Sequence, residues 1–417
     1  MHYFEYRSDE LYCEDIPLEK IAQEVGTPTY IYSEKTLHRH VRVFDEAFRA
    51  VPHLICYAIK ANSNINLLRR FAEWGTGFDI VSGGELFRVL RAGGRADKVI
   101  FAGVGKTADE IRYALDAGIL FFNVESGAEL DLIQTIARDT NRRARVSIRA
   151  NPNVDPRTHP YISTGMQKHK FGVSLPEARE LYRGASQLSN IDIVGVQCHL
   201  GSQITQLGPF EEALASLREF ILELKSYGLT LKYLDFGGGL GISYNSEEPP
   251  SPAAYGSAVA KATEDLDLTV VLEPGRVIVG NAGILLTRVL LKKAQGAKKF
   301  LVVDAGMNDL IRPALYGSHH QLWPVRTGSK GVEKETVDVV GPVCESADFI
   351  AKDREVAVLQ PGDLLAVMSA GAYAFSLSSN YNSRPRAAEV LVSDGTYQVI
   401  RRRESYEDLV RLEEGDD

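Results

Sequence analysis

The sequence predicts an α/β fold: a (β/α)8 TIM-type barrel joined to a second all-β domain of sandwich or barrel-like form. Three observations predict it. From about residue 54, β-rich apolar segments alternate eight times with amphipathic helical ones. After about residue 282, helix-period segments nearly vanish and β-branched runs broken by Gly, Pro and Asp take over. Unusual polar residues fall at the C-terminal ends of the barrel strands, where this fold carries its chemistry.

The expected barrel strands are "LICYAI" (54–59), "GFDIV" (77–81), "KVIFA" (98–102), "ILFFN" (119–123), "RVSIR" (145–149), "DIVGVQCHL" (192–200), "LKYLDF" (231–236) and "LTVVLE" (268–273). Between them lie segments such as "NLLRRFAEW", "GGELFRVLRAG", "ADEIRYALDAG", "GAELDLIQTIARD" and "PFEEALASLREFILELKSYG". Their apolar residues recur at helical spacings of three and four, with charges on the other face. "LLTRVLLKK", "KFLVVDAG", "TVDVVGPVC", "VAVLQPGDLLAVMSAG" and "AAEVLVSDGTYQVIRR" supply the second domain. "YFEYRSDELYCE", near the N-terminus, alternates like a strand and is expected to return to that domain. The expected division is therefore 34–281 for the barrel and 1–33 plus 282–417 for the β-domain. The final "RRRESYEDLVRLEEGDD" reads as a solvated helix and tail.

Composition narrows the function. The 417 residues are 44% hydrophobic and 24% charged, as in soluble globular proteins, and suffice for two or three domains. The net charge of −8 is interspersed, without a basic stripe, which argues against nucleic acid or a membrane as main partner. The N-terminus lacks a signal-like apolar region, and no apolar run reaches about 18 residues. Cys13, Cys56, Cys198 and Cys344 are scattered, which argues against a zinc site and a disulfide framework. A cytoplasmic protein with reduced thiols is expected. His319 and His320 lack a third ligand at suitable spacing, so no metal is expected.

The strand ends carry the chemistry. Lys60, in "YAIKAN", closes an apolar strand, where a lysine is costly unless paired or covalently used. Strand two contains Asp79 and runs into "SGGE"; strand five ends in Arg149; strand six runs into "HLGS", with His199 and Ser202. Strand seven runs into "GGGLG" (Gly237 to Gly241), and strand eight into "EPGR" (Glu273 to Arg276). Singly, each has an ordinary reading. The glycines can be a turn and do not fit the spaced dinucleotide fingerprint, and Glu273 with Arg276 can be a plain ion pair. Asp79 and Arg149 can serve the site or brace the barrel. Together they converge on one mouth. Three glycines let backbone N–H groups approach a phosphate, and Ser202, Gly275 and Arg276 can complete the cradle. A lysine can condense with an aldehyde, and a carboxylate can keep a pyridine nitrogen protonated. Phosphate, aldehyde and pyridine together describe pyridoxal 5′-phosphate, with His199 stacked on its ring. A glutamate at the nitrogen favours a strong electron sink, hence decarboxylation over racemisation.

"YAIKAN", "FDIVSGGEL", "CHLGSQI", "LDFGGGLGI", "LEPGR", "DAGMNDLIRPALY", "GPVCESAD" and "GAYAFSLSSNYNSRPRAAEVLV" occur in this order over nearly the whole chain. In these stretches the sequence resembles the diaminopimelate decarboxylases, within the alanine-racemase-like (fold type III) pyridoxal-phosphate enzymes. The resemblance implies Lys60 as Schiff-base lysine and His199 as ring-stacking residue. It also implies Glu273 as pyridine partner, and Ser202, Gly239, Gly275, Arg276 and Tyr373 as phosphate-side contacts. It further implies Cys344 as proton donor, and Arg276, Arg312, Tyr316, Glu345 and Tyr373 as the substrate-binding set. A homodimer with shared active sites is implied, the partner supplying Cys344 and Glu345. The implied substrate is meso-2,6-diaminopimelate, whose distal end carries a carboxylate and an ammonium. Arg312 suits the first as a bidentate fork, and Glu345 suits the second. Lysine or ornithine would leave the arginine unpaired, a costly mismatch. The rivals are a decarboxylase of another basic amino acid, an amino-acid racemase, and a non-catalytic cofactor-binding regulator. Arg312 with Glu345 opposes the first, Glu273 with Cys344 the second, and the complete set of reactive residues the third.

Overall fold

The computed structural model describes residues 1–155, 170–327 and 333–413. The chain divides into two compact units: Val41–Ile242 with Glu248–Val277, and Met1–His40 with Ser243–Glu247 and Ile278–Asp417.

The first unit is a closed barrel of eight parallel strands: His53–Ala58, Gly77–Ile80, Val99–Phe101, Phe121–Val124, Ala144–Asn151, Ile191–Gln197, Tyr233–Asp235 and Thr269–Leu272. The eighth pairs with the first through Val270, Val271 and Leu272 against His53, Leu54 and Ile55, which closes the ring. Cys56, Ile100, Phe121, Val194 and Val271 belong to one buried cluster. Strands on opposite sides of a ring share a cluster only through its interior, so the barrel is a packed core and not a pore. Helices between the strands begin where Ser82, Thr107, Ser126, Ser174 and Ser251 accept orphan backbone N–H groups.

All eight expected strands form, with most ends shifted by one to three residues, and two of these shifts bear on the site. The first strand stops at Ala58, and Lys60 lies in the following 3-10 turn, Ile59–Ala61. The Ala58 N–H leaves the ladder for the carbonyl of Pro274, at 3.0 Å, and the Tyr57 hydroxyl donates to the carbonyl of Asn62, at 3.0 Å. Asn64 then accepts from the Asn66 N–H and caps the helix Ile65–Glu73. The fifth strand runs on to Asn151, so Arg149 lies within it.

The second unit is built on the long strand Gly283–Gln295. It pairs antiparallel with Lys298–Val303, Leu364–Val367 and Thr29–Ser33. Thr29–Ser33 also pairs parallel with Ala388–Ser393, so the N-terminal segment is part of this sheet. Lys334–Val340, Phe349–Ala357 and Thr396–Arg401 extend it. Leu11, Cys13, Ile31, Ile284, Leu286, Ala366 and Val390 form its core, which the strand Glu10–Cys13 closes. A short helix, Tyr406–Val410, follows; the last four residues of the tail lie outside the described ones. Among the described residues, no helix is long and apolar enough to cross a membrane.

Candidate active site

Lys60 leaves its turn at the C-terminal mouth of the barrel. Its Nζ is 2.9 Å from Oδ2 of Asp79, on the second strand, and its side chain is 35% exposed. The amine therefore combines a carboxylate partner with access from outside. Asp79 is fully enclosed, and its Oδ1 has no hydrogen-bond partner among the described residues. An enclosed carboxylate that bonds only one oxygen is tolerated where it serves a polar group.

Glu273 follows the eighth strand and is buried, as is a second carboxyl, Asp235, whose charge acts on it. Burial first, then the Asp235 and Asp79 charges, push the Glu273 carboxyl well above the ordinary range, against the opposing pull of Lys60. Burial raises Asp235 to about 7. Asp235 is held by the Asn123 amide at 2.7 Å and by the Gly237 N–H at 3.0 Å. The Gln197 amide reaches Glu273 Oε1 at 3.4 Å.

His199 accepts the Gly238 N–H at its Nδ1, at 3.1 Å, which leaves the ring proton on Nε2. Burial, with the Arg149 and Lys60 charges, lowers its pKa well below the ordinary value. The ring is therefore neutral. At 3.9 Å from Glu273 the neutral ring makes no ion pair. Arg149 forms a buried pair with Glu125, at 2.8 Å, and reaches the His199 carbonyl at 3.4 Å. It braces the strand-six loop.

The glycine loop is wedged against these elements. A Cβ on Gly238 would stand 2.2 Å from the Glu273 carbonyl, and one on Gly239, at φ +110°, 2.5 Å from the Gly201 carbonyl. Only glycine allows this backbone so close to its neighbours. Arg276 donates to the Ser202 hydroxyl at 3.2 Å, while Gly275 starts the same turn. A backbone cradle with an arginine and a serine, a reachable lysine, a neutral imidazole and a buried glutamate fit pyridoxal 5′-phosphate group by group.

The second unit carries the remaining expected residues. Arg312 opens the short helix Arg312–Tyr316 and is buried; Tyr316, at its end, is half-buried. Cys344 and Glu345 are exposed on the loop after Lys334–Val340. Asp348 ties that loop down, accepting from the N–H groups of Val343 and Met307, each at 2.6 Å. The Cys344 N–H donates to Asn382 at 2.7 Å, and Tyr381 donates to Glu345 at 3.2 Å. Tyr373 has φ +54°, a strained conformation for a residue with a large side chain.

Three contributors were not singled out from the sequence: Asn123, Gln197 and Asp235. All three carry a readable signal, being polar residues in otherwise apolar strands. The sequence raises His320 only as a metal ligand.

Residues 34–280 match the family model described as "Pyridoxal-dependent decarboxylase, pyridoxal binding domain". Over 415 residues the chain is 50% identical to a diaminopimelate decarboxylase of Haemophilus influenzae, covering 99% of each sequence. Over 409 residues it is 49% identical to one from Aquifex aeolicus, covering 98% of this chain and 96% of the relative. Among solved structures, it is similar to the diaminopimelate decarboxylase of Helicobacter pylori complexed with L-lysine. The TM-score is 0.92 at 44% identity, covering 95% of this chain and 99% of that one.

Proposed function

The chain belongs to the pyridoxal-dependent decarboxylases, and within them to the diaminopimelate decarboxylases, and from this we propose that it converts meso-2,6-diaminopimelate into L-lysine and CO2, the closing step of lysine biosynthesis. Its cofactor is pyridoxal 5′-phosphate. One observation carries the reading: a reachable lysine, a buried glutamate and a glycine cradle meet at one barrel mouth.

When bound, the cofactor supplies an aldehyde that takes up the substrate amine and a pyridine ring that accepts the electron pair left as CO2 departs. Lys60 would hold that aldehyde through its amine, with Asp79 balancing its charge. Glu273, backed by Asp235, would keep the proton on the ring nitrogen. His199 would cover the ring face as a flat neutral surface. Gly239, Gly275, Arg276, Ser202 and Tyr373 would hold the phosphate. Arg312 would grip the distal carboxylate of the substrate, Glu345 of the partner subunit its distal ammonium, and Tyr316, Arg276 and Tyr373 would complete the pocket. Cys344 of the partner subunit would deliver a proton to the α-carbon. The thiol must be reduced to do so, which suits the cytoplasm.

A mixing experiment tests the shared site. Lys60→Ala and Cys344→Ala homodimers are each expected to be nearly inactive. Dissociated and reassociated together, they should regain about a quarter of wild-type turnover, since half of the random dimers contain one intact site of two. No recovery, with mixed dimers verified by mass, would place Cys344 in the same subunit as the lysine it serves.

A further inference from the structure

We propose that His320 is the positioning residue that presets Arg312 for the distal carboxylate of the substrate. The inference rests on the reading of Arg312 given above and adds to it the residue through which the arginine is aimed.

His320 is wholly buried and Arg312 is 4% exposed. His320 Nδ1 lies 2.8 Å from the Met368 carbonyl. A carbonyl only accepts, so Nδ1 carries the proton. In the neutral ring Nε2 is then an acceptor, and it takes an N–H of Arg312 Nη1 at 3.2 Å. A doubly protonated ring would set donor against donor and charge against charge, so the neutral tautomer is the one that fits. Tyr244 supplies the other half of the clamp. Its hydroxyl accepts from the same Nη1 at 3.0 Å, and its ring lies 4.8 Å from the guanidinium carbon. The Tyr244 and His320 rings pack edge to face, 5.4 Å apart.

Nη1 has two hydrogens, and these two acceptors use both. Held at Nη1 from two directions, the guanidinium has its plane fixed, and a fixed planar fork is what bidentate recognition of a carboxylate needs. The sheet itself fixes the histidine: Leu322 pairs with Val367, and the Met368 N–H donates to the Gln321 carbonyl at 2.9 Å. Strand register thus decides where His320 stands, and His320 decides how Arg312 is turned.

Two conservative variants separate positioning from support of the fold. In His320→Asn the amide N–H can still bond the Met368 carbonyl, but the acceptor towards Arg312 is gone. In His320→Gln an amide oxygen stands near the place of Nε2. KM and kcat for meso-diaminopimelate are measured on holoenzyme, with melting temperature and cofactor absorbance for each variant. Positioning predicts that Asn raises KM about tenfold with kcat changed less than about threefold, and that Gln restores KM to within about threefold of wild type. Wild-type KM in Asn, or loss of KM in Gln alone, overturns it. Should Asn not fold, Tyr244→Phe removes the other acceptor, and an unchanged KM there overturns the clamp. Arg312→Ala separates the two levels. If it raises KM while His320→Asn does not, only the positioning role fails. If it leaves KM unchanged, the reading of Arg312 fails and the inference falls with it.

Discussion

Replacing Lys60 by alanine is expected to lower turnover more than about 10³-fold and to abolish the visible absorbance that a lysine-bound aldehyde gives. The expectation rests on geometry. Lys60 is the lysine that the barrel mouth pairs with a wholly enclosed carboxylate while leaving its amine reachable. Alanine removes the nucleophile and also leaves Asp79 without its partner, so some loss of stability should accompany the loss of activity. Lys60→Arg separates the two effects. It keeps a cation beside Asp79, but its guanidinium stays protonated and cannot attack an aldehyde. It should therefore melt close to wild type and remain inactive. Cofactor that can still be fixed by borohydride to another lysine in Lys60→Ala would remove Lys60 from its assigned role.

The second large effect is expected at Glu273. Glu273→Gln keeps the shape of the side chain and the contact with Gln197, but a glutamine amide neither shares nor stores the proton. A fall in kcat of about 10²-fold or more is expected, with a much smaller change in cofactor affinity, because the glycine cradle that holds the phosphate is untouched. Asp235 should matter through Glu273. It is bonded to Asn123 and to the Gly237 N–H, and burial raises both its own pKa and that of Glu273. If Glu273→Gln turned over within about threefold of wild type, the electron-sink role of this carboxyl would be lost.

The eight barrel strands were legible because apolar β-branched runs and amphipathic helices have different periods, and the two alternate without interruption. Strand ends were less so, and the reason is non-local. The first strand stops at Ala58 because its N–H turns to Pro274, more than 200 positions later in the chain. Arg149 could serve the site or brace the barrel by sequence; in the fold its partner is Glu125, on a strand-to-helix connection. The reactive residues were legible where chemistry demands an unusual residue type in an apolar run, as at Lys60 and Glu273. Asn123, Gln197 and Asp235 obey the same rule, but a polar residue at or next to a strand end also passes for structure. His320 is a different case. Its meaning lies in the Met368 carbonyl 48 positions away and the guanidinium 8 positions away, and neither can be read from two adjacent histidines.

The central claim is the reaction itself. It is tested most directly by CO2 release from the purified, cofactor-loaded protein given meso-diaminopimelate, lysine, ornithine or arginine in turn. Release from meso-diaminopimelate alone, with L-lysine appearing in equal amount, is the predicted result. Release from lysine, ornithine or arginine, or from none of the four with cofactor bound, would contradict it.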